Sequence, residues 1–327
     1  MGPLFNSSRR HQLEQATPDV KCVVTGATGF VGRHLCRRLA QRGDQLFACS
    51  RGGGRLDDGT QVAALDLAAA ALPTSALAGA QVVFHLAGIA HRHAQDADYE
   101  AVNHLASVRL AQQAAAAGVR CFVFLSSVRA MGAPLSDLPR GESELVEAHD
   151  AYGRSKRRAE CGLRQACADS AMSVVIVRPV LLHGVGVKGN LRTLARATLR
   201  GLPRPPAGGR RSMLAVEDLV SLLCLLADEP PAGVSTWLAS GADYSTRELY
   251  DALRSAAGKG RGPGWLPRLG WRIAARLLDF AGAGDNTYTR LFGSELYSSA
   301  SVRAATGWRP ACTLEQAARQ MLTETRQ

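Results

Sequence analysis

Lys21–Gly32, KCVVTGATGFVG, limits what this chain can fold into more than any other stretch. An apolar run, Cys22-Val23-Val24, ends at Thr25 and is followed at once by Gly26, Gly29 and Gly32. A second apolar pattern, Val31, Leu35 and Leu39, then starts at helical spacing. Strand, glycine turn and helix start, in that order, are what a dinucleotide pyrophosphate needs. Glycines let the backbone turn tightly and approach the phosphates, and unpaired N–H groups at the helix N-terminus offer positive potential. An ordinary turn between strand and helix also uses glycine, but the flanking strand and helix weigh toward the nucleotide.

Apolar runs at Gln45–Cys49, Val62–Leu65, Gln81–Leu86, Val119–Leu125 and Met172–Val177 are predicted strands, with helices predicted over Asp96–Ala117 and Ala151–Ala168. Alternation of this kind, with nearly continuous apolar strands, argues an α/β fold around a doubly wound parallel sheet covered on both faces. Ligands of such sheets bind at the C-terminal strand ends, where Gly26, Ser50, Asp66, Ala87 and Ser127 fall. Beyond Pro179 the pattern loosens, with helical periodicity near 190–199, 217–227, 246–257, 268–280 and 313–325. The expected division is a polar tail over 1–19, a nucleotide-binding domain over 20–182 plus about 213–240, and a smaller lobe over about 183–212 plus 241–327. The alanine-rich segments 68–71 and 114–117 are expected to be helical.

With 327 residues, 46% of them hydrophobic and 20% charged, the composition is that of a globular protein able to bury a sizeable core. No apolar run reaches the roughly 18–20 residues a membrane span needs, and residues 1–19 lack the pattern of a secretory signal. Eight scattered cysteines without a CxxC pair fit free thiols in a reducing cytoplasm better than disulfides or zinc. The net charge of +11 raises the question of nucleic acid, but aromatics are only 6% and no basic-aromatic platform is present. Most of that charge is expected on a solvated face, with a few arginines serving phosphates. His91, His93 and His183 have no acidic or cysteine partner at ligand spacing, so no metal site is expected. Trp265–Phe280 is basic and amphipathic; it is expected to pack its Leu/Ile/Trp face on the smaller lobe rather than lie on a membrane surface.

The strand ending at Cys49 runs into Ser50-Arg51, with Arg55 close behind and no acid in the place that would bind a ribose 2′-hydroxyl. That favours NADP(H) over NAD within an NAD(P) site, since an arginine suits the 2′-phosphate. A second signal is Tyr152-Gly153-Arg154-Ser155-Lys156, which puts tyrosine and lysine on one helix face. A nearby ammonium stabilises phenolate and makes the hydroxyl a usable proton donor or acceptor. Ser127, ending a strand upstream, is placed to hold the reacting oxygen.

TGATGFVG, HLAG (85–88), FLSS (124–127), YGRSK and VRP (177–179) together resemble the extended short-chain dehydrogenase/reductase superfamily, in its NAD-dependent epimerase/dehydratase group. The resemblance covers about residues 20–325. It implies a Rossmann-type domain with a smaller mixed α/β substrate lobe, and Ser127, Tyr152 and Lys156 as catalytic residues. Cofactor contacts are implied for Gly26, Thr28, Gly29, Phe30, Val31, Gly32, Asp66, Leu67, Leu86, Ala87, Gly88, Asn103 and Lys156, beside Ser50 and Arg51. VKGN (187–190) and GRRSMLAVEDLV (209–220) look like the UDP-sugar branch of polysaccharide and O-antigen pathways. There Asn190 would contact the sugar nucleotide and Arg211 its diphosphate, with Arg290 in RLFGSEL a second arginine. A homodimer through the helices near 96–117 and Tyr152 is also implied by resemblance.

Departures from the family narrow the chemistry. Sugar dehydratases carry an Asp-Glu pair after the catalytic Ser/Thr, whereas Val128-Arg129 stand here, which disfavours dehydration. The usual Val-Tyr before the closing glycine is Ala130-Met131. Hydride chemistry at C4 of a UDP-hexose is therefore expected. The acid-free Ser50-Arg51 loop tips a close choice toward a 4-keto reductase over a 4-epimerase. The alternative is an NADP(H)-binding sensor or scaffold of the same fold that turns nothing over.

Overall fold

The computed structural model describes residues 20–90, 94–133, 137–148, 150–187, 189–280 and 286–323; the tail over 1–19 and the pair His91 and His93 lie outside the described residues. In chain order the strands are β1 (Lys21–Thr25), β2 (Gln45–Ser50), β3 (Gly54–Arg55), β4 (Gln61–Ala64), β5 (Val82–His85), β6 (Cys121–Leu125), β7 (Ser173–Pro179), β8 (Leu181–His183), β9 (Arg210–Ala215), β10 (Val234–Ala239) and β11 (Asp243–Ser245). The helices are α1 (Phe30–Gln41), α2 (Thr74–Leu77), α3 (Asp96–Tyr99), α4 (Ala106–Ala116), α5 (Ala151–Ala166), α6 (Asn190–Leu199), α7 (Val216–Asp228), α8 (Thr246–Ala256), α9 (Arg268–Phe280), α10 (Thr287–Phe292), α11 (Ala300–Thr306) and α12 (Leu314–Thr323).

An eight-stranded sheet runs β10-β7-β6-β5-β1-β2-β4-β3, parallel throughout except for the β3–β4 pair. Strand order reverses between β1 and β5, which is where a doubly wound sheet opens a crevice for ligand. The pleat sends alternate side chains to opposite faces. Cys22 and Val24 of β1, Val82 and Phe84 of β5, and Val175 and Val177 of β7 pack under α1 and α7. Val23, Val83, Val174 and Ile176 pack on the other face under α4 and α5. Burial on both faces is why these strands read as continuous apolar runs. A second sheet, β11-β9-β8, adjoins a separate cluster in which Leu191, Leu249, Leu253, Ala318 and Met321 bring α6, α8 and α12 together.

The helix expected over 96–117 forms, but its turns over Glu100–Leu105 are π-helical. Residues 68–71 are not helical: the Ala69 and Ala70 N–H groups both donate to Asp66 O, at 3.1 and 2.9 Å, and Asp66 Oδ1 accepts from Ala68 N at 2.9 Å. That Asx turn satisfies the donors a helix would use, and Pro73 leaves the run too short to nucleate. The face expected to pack along Trp265–Phe280 is also corrected, for α9 buries only Trp271 and Ala275. All eight thiols are free.

Candidate active site

The loop after β1 and the loop after β5 touch. Gly26 has φ +73°, and a Cβ built on it would lie 2.7 Å from Ala87 N. One on Gly32, inside α1, would lie 2.2 Å from Gly26 O. Glycine is required at both places, by backbone conformation at the first and by close approach at the second. Gly29 is the N-cap of α1, with no side-chain capping bond and no acidic residue in the first turn. The helix therefore offers bare N–H groups and unopposed positive potential at the sheet mouth. Val31 is buried; Phe30 and Thr28 are half-buried beside it, Phe30 meeting His34 edge-on at 5.6 Å.

Around that mouth lie the other residues expected at a cofactor. Ser50 closes β2, 7% exposed, and its Oγ has no hydrogen-bond partner among the described residues. Arg51 follows, exposed. Asp66 is exposed after β4 and Leu67 is buried. Leu86, Ala87 and Gly88 form the loop after β5, held by Leu86 N to Thr25 O at 3.2 Å and Ala87 N to Thr25 Oγ1 at 3.3 Å.

Asn103 sits in the π-helical segment, fully buried. Its Oδ1 accepts from Ile89 N at 2.8 Å, and Nδ2 donates to Ile89 O at 3.0 Å and Ser155 Oγ at 3.0 Å. Every group on the amide is thus engaged within the chain, fastening the loop after β5 to α5. Where the resemblance gives Asn103 a cofactor contact, the geometry gives it a positioning place behind that loop.

Tyr152 and Lys156 stand one turn apart on α5, whose N-cap Asp150 accepts from Gly153 N at 2.9 Å. Ser127 ends the segment after β6; its Oγ accepts from Arg129 N at 3.2 Å, and its hydroxyl acts on the Tyr152 phenol to lower its pKa. Burial pushes that phenol up to about 12, while the Ser127 hydroxyl and the Arg129 guanidinium pull the other way. Lys156 lies one turn on along the same face of α5 and is buried. Its Nζ donates to Leu125 O at 2.8 Å, lies 4.5 Å from the centre of the Phe124 ring, and would be 3.3 Å from a Cβ on Gly88. Burial lowers its ammonium to about 8, partly offset by Glu160.

A further charged group stands on β9. Arg211, on β9, pairs through Nη1 with Glu295 Oε2 at 3.2 Å and donates through Nη2 to Thr289 O at 3.2 Å, while its buried Nε has no partner among the described residues. Burial lowers its pKa against the pull of Glu295, and the charges of Arg129 and Arg290 lower it further. Arg129, which the sequence offers neither as acid nor as base, pairs through Nη2 with Asp150 Oδ2 at 3.1 Å and acts on the Tyr152 phenol. Its position two residues after Ser127 was the available signal of that place. Arg290 is exposed on α10. Asn190 is the first residue of α6. His183 is buried, and the nearest charge acting on it is Asp218.

A parallel sheet with a glycine cradle at its switch point and a Ser-Tyr-Lys group beside it defines an extended short-chain dehydrogenase/reductase. The NAD dependent epimerase/dehydratase family model matches residues 22–238, and the chain belongs to that family. A UDP-glucose 4-epimerase of Vibrio cholerae is 32% identical over 312 residues, 91% of this chain and 93% of that protein. Among solved structures, MoeE5 in complex with UDP-glucose and NAD is 26% identical with a TM-score of 0.74, covering 94% of this chain and 98% of that one. The UDP-glucuronic acid 4-epimerase of Bacillus cereus in complex with NAD has the same fold at 16% identity, with a TM-score of 0.74 over 92% of this chain and 94% of its own.

Proposed function

We propose that this enzyme moves a hydride at C4 of a UDP-hexose and interconverts its C4 epimers. The observation that carries the reading is Ser127 acting on the Tyr152 phenol, with Arg129 acting both on that phenol and on Arg211. The uncapped start of α1, and the cradle that a Cβ at Gly26 or Gly32 would fill, suit a dinucleotide pyrophosphate. Nicotinamide supplies the hydride acceptor and donor when bound. The UDP-glucose 4-epimerase of V. cholerae and the NAD and UDP-glucose held by MoeE5 support both halves of this assignment.

In this reading Tyr152 Oη takes the proton of the sugar 4-hydroxyl and later returns it, and Ser127 Oγ holds the same oxygen. Ser127 and Arg129 favour the phenolate that burial opposes. Lys156 keeps one N–H on Leu125 O and holds the other two toward the loop at Gly88. Arg211, with Arg290 and Arg129, binds the diphosphate, whose charge relieves their mutual repulsion. The lobe of α6, α8 and α12 closes over the sugar nucleotide.

Reduction of a UDP-4-keto sugar with NADPH is the second reading, and the acid-free Ser50-Arg51 end of β2 favours it. One experiment separates the readings. The nucleotide released on denaturing the purified protein is identified, and UDP-glucose, UDP-galactose and their N-acetyl forms are assayed beside a UDP-4-keto sugar with NADPH. Retained NAD with epimerisation is expected. An empty site and NADPH consumption would move the assignment to the reductase. Turnover left intact by Tyr152→Phe would remove the catalytic assignment altogether.

A further inference from the structure

Helix α9 is apolar on two sides. Trp271 and Ala275 face inward, Trp271 meeting Phe292 edge-on at 5.7 Å. At the helical angle between successive residues, Leu269, Ile273, Leu277 and Phe280 fall on the opposite side. They are 66, 52, 64 and 94% exposed, and Trp265, just before the helix, is 69% exposed. Single exposed apolar residues are ordinary on protein surfaces, but a continuous stripe of large ones marks an interaction site.

The charges beside the stripe identify what covers it. Within α9 the cations are Arg268, which donates to Ala207 O at 3.1 Å, Arg272 and Arg276, against the single anion Asp279. Asp279 is turned onto α10, accepting from Thr287 N at 3.0 Å. Arg272 and Arg276 are exposed along one flank of the stripe, Arg272 lying 5.2 Å from the centre of the Tyr288 ring. A second copy of the chain meeting through this face would bring the same arginines against one another. Among the described residues no helix is long and apolar enough to cross a membrane, so α9 would lie on a bilayer rather than span it.

We propose that α9 is a docking helix for an anionic lipid surface. Leu269, Ile273, Leu277 and Phe280 enter the boundary between headgroups and acyl chains, and Arg272 and Arg276 extend to the phosphates. Docking brings the Arg211 region close to the membrane, because α10 packs on α9 and provides the Thr289 carbonyl that Arg211 holds. The inference is independent of which sugar the enzyme takes.

The test is sedimentation of the full chain with phosphatidylcholine vesicles, with and without phosphatidylglycerol, at low and high salt. Binding to the anionic vesicles alone, weakened by salt, is expected. An Ile273→Asp/Leu277→Asp pair should lower the partition coefficient at least about tenfold. Arg272→Gln and Arg276→Gln should each lower it by about fivefold. Should the aspartate pair fail to fold, Phe280→Ser, at the exposed helix end, makes the same test. No binding, equal binding to both vesicle types, or binding indifferent to these substitutions would overturn the proposal. So would an aspartate pair whose sole effect is to turn a dimer into monomers.

Discussion

The Glu160 carboxylate and the Arg178 guanidinium form a buried fork behind the helix that carries Tyr152 and Lys156, Nε to Oε1 at 2.9 Å and Nη2 to Oε2 at 2.5 Å. Glu160 Oε1 also accepts from Ser126 Oγ at 2.5 Å, and Arg178 Nη1 donates to Glu142 O at 3.0 Å. The fork thus ties α5 to β7 and to the strand end beside Ser127. Both side chains are almost wholly out of water, at 2 and 3% exposure, so removing one strands the other's charge. Arg178→Met is expected to cost about 3–5 kcal/mol of stability, read from the urea midpoint. Adding Glu160→Gln should restore part of it. A loss below about 1 kcal/mol would show that the fork is not what holds the helix.

The two reacting side chains titrate in opposite directions on burial, Lys156 down to about 8 and Tyr152 up to about 12. Lys156 carries its charge below about pH 8 and loses it above, while burial opposes the Tyr152 phenolate that taking the sugar proton needs. Activity that needs the ammonium should be level below pH 8 and fall with a single proton above it. Stability moves the other way. Between about 8 and 10.5 the unfolded chain binds the lysine proton and the folded chain does not, so this group stabilises the fold as pH rises. A profile of kcat/KM from pH 6 to 10, with Lys156→Met as control, reads the first effect, and urea unfolding over the same range reads the second.

How much of this was visible in the sequence differs by element. Val23, Val83 and Phe122 are buried on a sheet covered on both sides, so their strands announce themselves as apolar runs. The glycine spacing is equally legible, because Gly26 and Gly32 answer to backbone contacts close in sequence or across one strand pair. β8, β9 and β11 are short and mixed, and exist by pairing across the chain, as when Arg210 of β9 faces Ser245 of β11. No local periodicity records that. Tyr152 and Lys156 were legible as a pair, but the partner of each depends on tertiary placement: Arg129 for the phenol, Leu125 O for the ammonium. Arg178 appeared only as a letter in VRP until its fork with Glu160 gave it a place.

His85 links the two strands at the switch point. It is fully buried, with Nδ1 2.7 Å from Thr25 Oγ1 and Nε2 2.8 Å from Ser107 Oγ. Burial, with Lys156 nearby, lowers its pKa to about 3 from 6.5. As pH falls below 6.5 the unfolded chain takes up this proton and the folded one does not, so stability declines progressively toward pH 3. A His85→Gln variant should have lower stability at neutral pH and a shallower loss of melting temperature between pH 6.5 and 4. Parallel curves for the two proteins would assign the acid sensitivity elsewhere.

Gly32→Ala adds a Cβ 2.2 Å from Gly26 O and 2.8 Å from Ala27 Cα, both backbone atoms that cannot step aside without moving the loop. Dinucleotide affinity, measured by calorimetry, is expected to fall by about a hundredfold or more, the scale of losing one to two well-placed contacts to charged groups. Gly52→Ala is the control, since a Cβ there meets nothing within 4 Å. Equal affinities in the two variants would mean that the cradle does not touch the cofactor.

The end of β2 is where the two cofactor readings can be told apart by experiment. Ser50 has a buried hydroxyl with no partner among the described residues, Arg51 is exposed beside it, and Asp66 Oδ1 is engaged by Ala68 N. No carboxylate thus stands next to Ser50 in sequence to take a ribose hydroxyl pair, while a guanidinium is free to approach a 2′-phosphate. On the reductase reading NADPH binds more tightly than NADH, and the difference shrinks as salt is raised. Arg51→Asp should shift the ratio of the two dissociation constants toward NADH by at least about tenfold, by removing a charge-assisted bond and setting a like charge against the phosphate. A ratio unchanged by the substitution would make Arg51 an ordinary surface arginine and leave NAD as the natural ligand, which is also what tight retention during epimerisation requires.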